Sequence, residues 1–208
     1  LALMQEFRIL AGLRHPHIMS VRDFGFDGEL PFYTMQFLEG ATTITAYTEG
    51  RDTATKVQVL LELLQALIYL HRHGILHRDL KPDNVLVSKE GKVKVLDFGL
   101  ARINDEPLDP DDKFVGTLAY IAPEILLGKD VSIQSDLYAF GVIAYQVFVG
   151  HHPHAHGGIS HLLVNLINEV PDTTMLETRL SYVLNTLLEK DPRFRYQNAS
   201  EVMEALCK

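Results

Sequence analysis

The 208-residue sequence is 47% apolar and 22% charged, ordinary for a globular chain that can bury a sizeable core, and its net charge of −8 argues against a nucleic-acid-binding surface. Its single cysteine, Cys207, excludes an internal disulfide and fits a reducing cytoplasm. No apolar run reaches the about 18 residues of a membrane span, and the opening residues mix Gln5, Glu6 and Arg8 into a pattern unlike a secretory leader.

In chain order, residues 1–14 predict a helix, with Leu3, Phe7, Leu10 and Leu13 at three- and four-residue spacing. Residues 18–26 and 31–37 predict two strands around a turn at Asp27-Gly28. The strongest helix covers residues 53–73, capped by Asp52 or Thr53 and ended by Gly74. It runs into His77-Arg78-Asp79-Leu80-Lys81-Pro82-Asp83-Asn84. Two short apolar strands follow, Val85 to Val87 and Val93 to Leu96, around Glu90-Gly91. A hairpin so built brings together Asn84 and Asp97, the first residue of Asp97-Phe98-Gly99.

Between Leu100 and Val115 there is no Ser, Thr or Tyr; the segment instead carries Asp105, Glu106, Asp109, Asp111 and Asp112. Gly116-Thr117 and Ala122-Pro123-Glu124 follow. Residues 134–149 predict a second buried helix, with Ser135 or Asp136 able to cap it. His151, His152, His154, His156 and His161 have a spacing that could ligate Zn²⁺, but no Cys or Asp supports a closed site, and a solvent-facing loop is the expectation. Helices near 160–169, 177–190 and 198–207 complete the chain; Asp191-Pro192 stops one, and Asn198 with Glu201 makes a capping-box start for the last.

The HRDL-x-x-x-N stretch, D-F-G and A-P-E in this order resemble the catalytic domain of Hanks-type serine/threonine protein kinases, and Lys81-Pro82-Asp83 looks like the serine/threonine rather than the tyrosine type. The resemblance implies an α+β fold of two lobes, a partial small lobe over residues 1–37 and a mostly helical large lobe over 38–208. It implies transfer of the ATP γ-phosphate, with Mg²⁺, to Ser or Thr hydroxyls of protein substrates. Asp79 would be the base, Lys81 would offset phosphate charge, and Asn84 and Asp97 would hold the metal. Thr117 would bond near Asp79 and Lys81. Met35, Gln36 and Leu38 would line the adenine site, above Leu86. Glu6 would pair with a lysine on another strand or stand as a surface carboxylate. Asp136 would accept backbone N–H groups of the catalytic loop, and Glu124 would pair with Arg195.

In the family, a phosphate in the segment after D-F-G pairs with the arginine here numbered Arg78. Asp111 or Asp112 would stand in for that phosphate, or the acidic segment is simply solvated. The sequence carries no Gly-rich phosphate loop and no V-A-I-K-type lysine; Gly25 to Gly28 is not a substitute, because no suitable strand and lysine follow. The expectation is that those parts, and further domains, lie upstream, and that the 208 residues alone are nearly inactive, with an unpaired sheet edge. A degenerate kinase acting as a binding scaffold and a small-molecule kinase of similar fold stay open as alternatives.

Overall fold

The computed structural model describes residue 7 and residues 10–96, 118–154 and 158–207. Strands β1 (Val21–Asp27) and β2 (Leu30–Met35) form an antiparallel two-stranded ribbon. Asp27 pairs with Leu30, so Gly28 and Glu29 make a two-residue loop, and Gly28 takes the left-handed φ of 61° such a turn needs. The ring of Phe32 lies over Gly25, where a Cβ would come within 2.9 Å of it. Phe7 packs on the ribbon through Phe24, ring centroids 5.3 Å apart. No third strand joins this ribbon among the described residues.

The first strand was expected from residue 18, but β1 begins at Val21. The reason is a competing pairing: Ile18 bridges Val95, the Met19 N–H donates to the Val95 carbonyl, and the Val95 N–H donates to the His17 carbonyl. Residues 17–19 thus run beside β5 (Val93–Val95), which pairs with β4 (Val85–Val87), and β4 with the two-residue strand β3 (Thr42–Thr43).

Helix α1 (Ile44–Thr48) follows β3 directly, its Ala46 N–H capped by the Thr43 hydroxyl at 3.3 Å. Helix α2 (Thr53–Arg72) starts at Asp52, whose carboxylate accepts the Thr55 N–H at 2.8 Å, and ends before Gly74 at φ 69°. Contrary to the sequence expectation, α2 is long and apolar enough to cross a membrane by length and composition. Yet Leu60, Leu63, Leu64, Leu67 and Leu70 are fully buried, and its mid-helix Glu62 accepts from Lys92 and from the Val93 N–H, as a core helix requires.

After the short helix α3 (Pro123–Leu126) comes α4 (Ile133–Val149), buried on nearly every side. Its cap is Ser132, whose N–H donates to the Ser135 hydroxyl at 3.1 Å; Asp136 lies one residue further in and caps something else. Helix α5 (Gly158–Asn168) follows; α6 (Thr178–Leu187) packs on α4, and α7 (Ala199–Cys207) packs on α2 and α6. Asn198 accepts the Glu201 N–H at 3.0 Å, and Glu201 accepts the Gln197 N–H at 2.8 Å. The architecture is α+β, a small sheet part against a larger helical part.

Candidate active site

The loop between α2 and β4 concentrates the chemistry. Asp79, Lys81 and Asn84 sit within six residues, and a 3-10 turn over Pro82–Asn84 folds the last back on the first. The Asn84 amide nitrogen donates to the Asp79 carbonyl at 2.7 Å and to its carboxylate at 3.2 Å. The Lys81 ammonium lies 3.1 Å from the same carboxylate oxygen, so a cation and an amide flank one acid. With Nδ2 committed to Asp79, the Asn84 Oδ1 is the oxygen that the buried amide can offer a cation. Amide and carboxylate oxygens of this kind suit Mg²⁺.

Arg78 takes a left-handed φ of 67°, an unfavourable conformation for a non-glycine residue. Asp136 of α4 holds it there: one carboxylate oxygen accepts the Arg78 N–H at 3.0 Å and the other the His77 N–H at 2.9 Å. His71, in the last turn of α2, adds its Nε2 at 2.8 Å from Asp136. His77 is fully buried, and desolvation outweighs the Asp136 and Asp79 charges to lower its pKa, so the ring is neutral. Its Nε2 donates to the Leu96 carbonyl at 3.1 Å, and the Leu96 N–H donates to the Asn84 carbonyl at 2.8 Å. The strand end before Asp97 is therefore tied to both ends of the loop.

Across a cavity of about 320 Å³ from Arg78, Asp79 and Leu80 stand Leu118, Tyr120 and Ile121. The Tyr120 hydroxyl donates to Gln146 of α4 at 2.8 Å, and burial pushes its pKa up to about 12. Behind this wall the Arg195 guanidinium grips Glu124 through two parallel bonds of 2.8 and 2.7 Å, both groups 3% exposed.

The remaining site positions divide. Met35 closes β2 and, with Leu10, Tyr33 and Leu96, lines a small cleft. The Gln36 N–H donates to the Ser20 carbonyl, and the Leu38 carbonyl accepts the Ala41 N–H. Leu86 points away from the core face that Val85 and Val87 bury, and stays half-buried. Asp97, Thr117, Glu6, Asp111 and Asp112 lie outside the described residues.

The histidines depart from expectation. His151 and His161 are exposed, but His152 and His154 are buried, because the left-handed Gly150 after α4 turns the chain back onto Ala119 and Tyr120. His156 is outside the described residues, and among these no group of three or more His, Cys, Asp or Glu is arranged for a metal. Sequence reasoning also missed His71 and the buried Glu62; only the spacing of His71 on the last turn of α2 could have hinted at a partner.

A family model described as the protein kinase domain matches residues 2–206. The chain belongs to the protein kinase domain family. This kinase domain is 31% identical to a probable serine/threonine-protein kinase PknB of Lactococcus lactis, over 96% of the chain and 33% of that protein. It is 32% identical to the serine/threonine-protein kinase PknB of Mycobacterium tuberculosis, over 97% of the chain and 34% of the relative. The chain thus spans about a third of the length of the curated relatives it matches. A crystal structure of Rad53 1-466 in complex with AMP-PNP superimposes with a TM-score of 0.80 at 25% identity, covering 97% of this chain and 53% of that one.

Proposed function

We propose that the protein transfers the γ-phosphate of ATP to Ser or Thr hydroxyls of protein substrates. The observation that carries this reading is the joint attachment of Lys81 and Asn84 to the Asp79 carboxylate, at 3.1 and 3.2 Å, on the rim of a cavity. Asp79 orients the acceptor hydroxyl and takes its proton, while Lys81 offsets the charge of the phosphoryl group in flight. The Asn84 Oδ1 and Asp97 would hold Mg²⁺, which would supply charge neutralisation at the phosphates. Thr117 would act beside Asp79 and Lys81, and Glu6 would pair with a lysine that positions the phosphates. The backbone near Gln36 and Leu38 meets the adenine edge, with Met35 behind it and the outward face of Leu86 beneath.

In this reading residues 1–37 belong to the small lobe and 38–208 to the large lobe. Nucleotide use is supported by the AMP-PNP in the Rad53 crystal structure, and protein substrates by the names of the curated relatives. The reaction belongs in the cytoplasm, in keeping with one exposed thiol and a supply of ATP. No nucleic acid takes part, given the −8 charge.

The test is label transfer from γ-labelled ATP to a generic protein substrate by the full-length protein. The wild type should transfer label, and Asp79→Asn should fall by about 10²–10⁴ with an unchanged melt. Equal rates for the two would overturn the reading.

A further inference from the structure

The sequence His151-His152-Pro153-His154 plays no part in the reaction as read above, yet two of its rings are buried, that of His152 against Ala119 and Tyr120. The His152 Nε2 lies 2.9 Å from the Ala119 carbonyl, which can only accept, so Nε2 carries the proton. Its Nδ1 accepts the His154 N–H at 3.0 Å, so it carries none. Both nitrogens are committed and the ring is locked in one neutral tautomer. Desolvation holds its pKa at about 4, and the neighbouring His154 and His151 add to that while the Ala119 bond opposes it. The donor is therefore present throughout the neutral range.

The ring edge also meets Tyr120 at 5.4 Å and 86°, next to the Tyr120–Gln146 bond. His154, 1% exposed, has its Nδ1 3.3 Å from Glu169 just beyond α5, which seats the loop from below. Ala119 and Tyr120 are thus gripped from the α4 side; Ala119 lies between Leu118 and Tyr120, which line the cavity together with Asp79.

We infer that His152 is a positioning residue for the protein substrate: its bond to Ala119 sets the shape of the Leu118–Ala122 wall and so the affinity for the segment carrying the acceptor hydroxyl. The inference rests on the phosphoryl-transfer reading, whose own control is Asp79→Asn. Three variants separate the role from mere packing. His152→Phe keeps the ring against Tyr120 but has no donor. His152→Asn keeps an acceptor for the His154 N–H but is too short to reach Ala119. His152→Gln restores a donor at the reach of Nε2.

The full-length protein is compared for KM of a protein substrate, KM of ATP, kcat, melting temperature, and amide hydrogen exchange over residues 118–122. Phe and Asn should raise the protein-substrate KM about fivefold or more and speed exchange of those amides about tenfold, the scale of one lost hydrogen bond. KM for ATP should stay within about twofold, and Gln should recover most of both effects. Unchanged exchange and KM in every variant that still melts cooperatively would overturn the inference. So would KM values for ATP and protein that rise together with no rescue by Gln. An active wild type with silent His152 variants removes this role alone, whereas a wild type no faster than Asp79→Asn removes the phosphoryl-transfer reading and this role with it.

Discussion

Replacing Arg195 with Met tests how the substrate-side wall is held. The guanidinium makes five bonds: two to Glu124 at 2.8 and 2.7 Å, and one each to the carbonyls of Gln134, Lys190 and Glu189 at 3.0, 3.1 and 2.7 Å. It also stands 4.8 Å from the Tyr138 ring centroid. Methionine fills most of the volume, so the chief loss is electrostatic. Glu124, 3% exposed, would retain the Ser135 hydroxyl at 2.9 Å in place of its cation. Leaving one member of a buried pair alone costs about 3–5 kcal/mol, which for a domain of this size lowers the melting temperature by roughly 6–20 °C.

The pH dependence carries the sign. Burial by itself would raise the Glu124 pKa, but bonds and charge from Arg195 outweigh it and hold the carboxyl below its ordinary value. A depressed native pKa means stability that is fully present above the unfolded value, about 4.3, and lost as pH falls through the native one. In Arg195→Met the unpaired acid gains by protonation instead, so the gap to wild type should narrow as pH is lowered from 7 toward 4. Thermal melts across that range are the assay. A double change, Glu124→Leu with Arg195→Met, should recover part of the loss, since apolar groups can replace a buried pair at little cost. A single variant melting within about 2 °C of wild type, or a gap that does not move with pH, would refute the argument.

Two further perturbations address neighbouring parts. Asp136→Ala should lower kcat by about 10²-fold or more and leave a folded protein, because the His77 and Arg78 N–H groups lose the acceptor that holds Arg78 at φ 67° beside Asp79; steady-state kinetics with an unchanged kcat would contradict it. Gly141→Ala places a Cβ 2.8 Å from that of Leu187 and 3.2 Å from the Leu188 side chain. Overpacking of about 1–3 kcal/mol should exceed the helix-propensity gain of about 1, for a net fall of roughly 2–4 °C in the melt. A higher melting point would show that α6 yields.

The elements that sequence reading locates are those whose signals are local. Asp52 and Gly74 bound α2, and Asn198 with Glu201 starts α7, because caps and left-handed glycines act within a few residues. The Asp79–Lys81–Asn84 cluster lies within six consecutive residues, so a single turn suffices to assemble it. What escaped depends on distant partners. Strand β3 has two residues and α1 five, and β4 forms the pairing that makes β3 a strand. Ile18 reads as the start of β1 until Val95 claims it. His152 and His154 read as polar loop residues because nothing nearby in sequence shows that Ala119 and Glu169 await them.

These contacts converge on α4. Asp136 near its start holds the loop bearing Asp79, and Gln146, ten residues on, holds Tyr120 on the opposite wall; at 1.5 Å per residue the two anchor points are about 15 Å apart on one rod. Just past its end His152 holds Ala119, and two residues after Asp136 the Tyr138 ring lies against the Arg195 that grips Glu124. Leu137, Phe140 and Ile143 are fully buried, so the rod cannot tilt without opening the core. A bond lost at Asp136 frees only the Asp79 side of the cavity, and one lost at His152 only the Tyr120 side. A change in how α4 sits, as at Gly141, must displace both walls together. Separate effects on chemistry and on protein-substrate affinity are therefore expected from the first two positions, and coupled effects from the third.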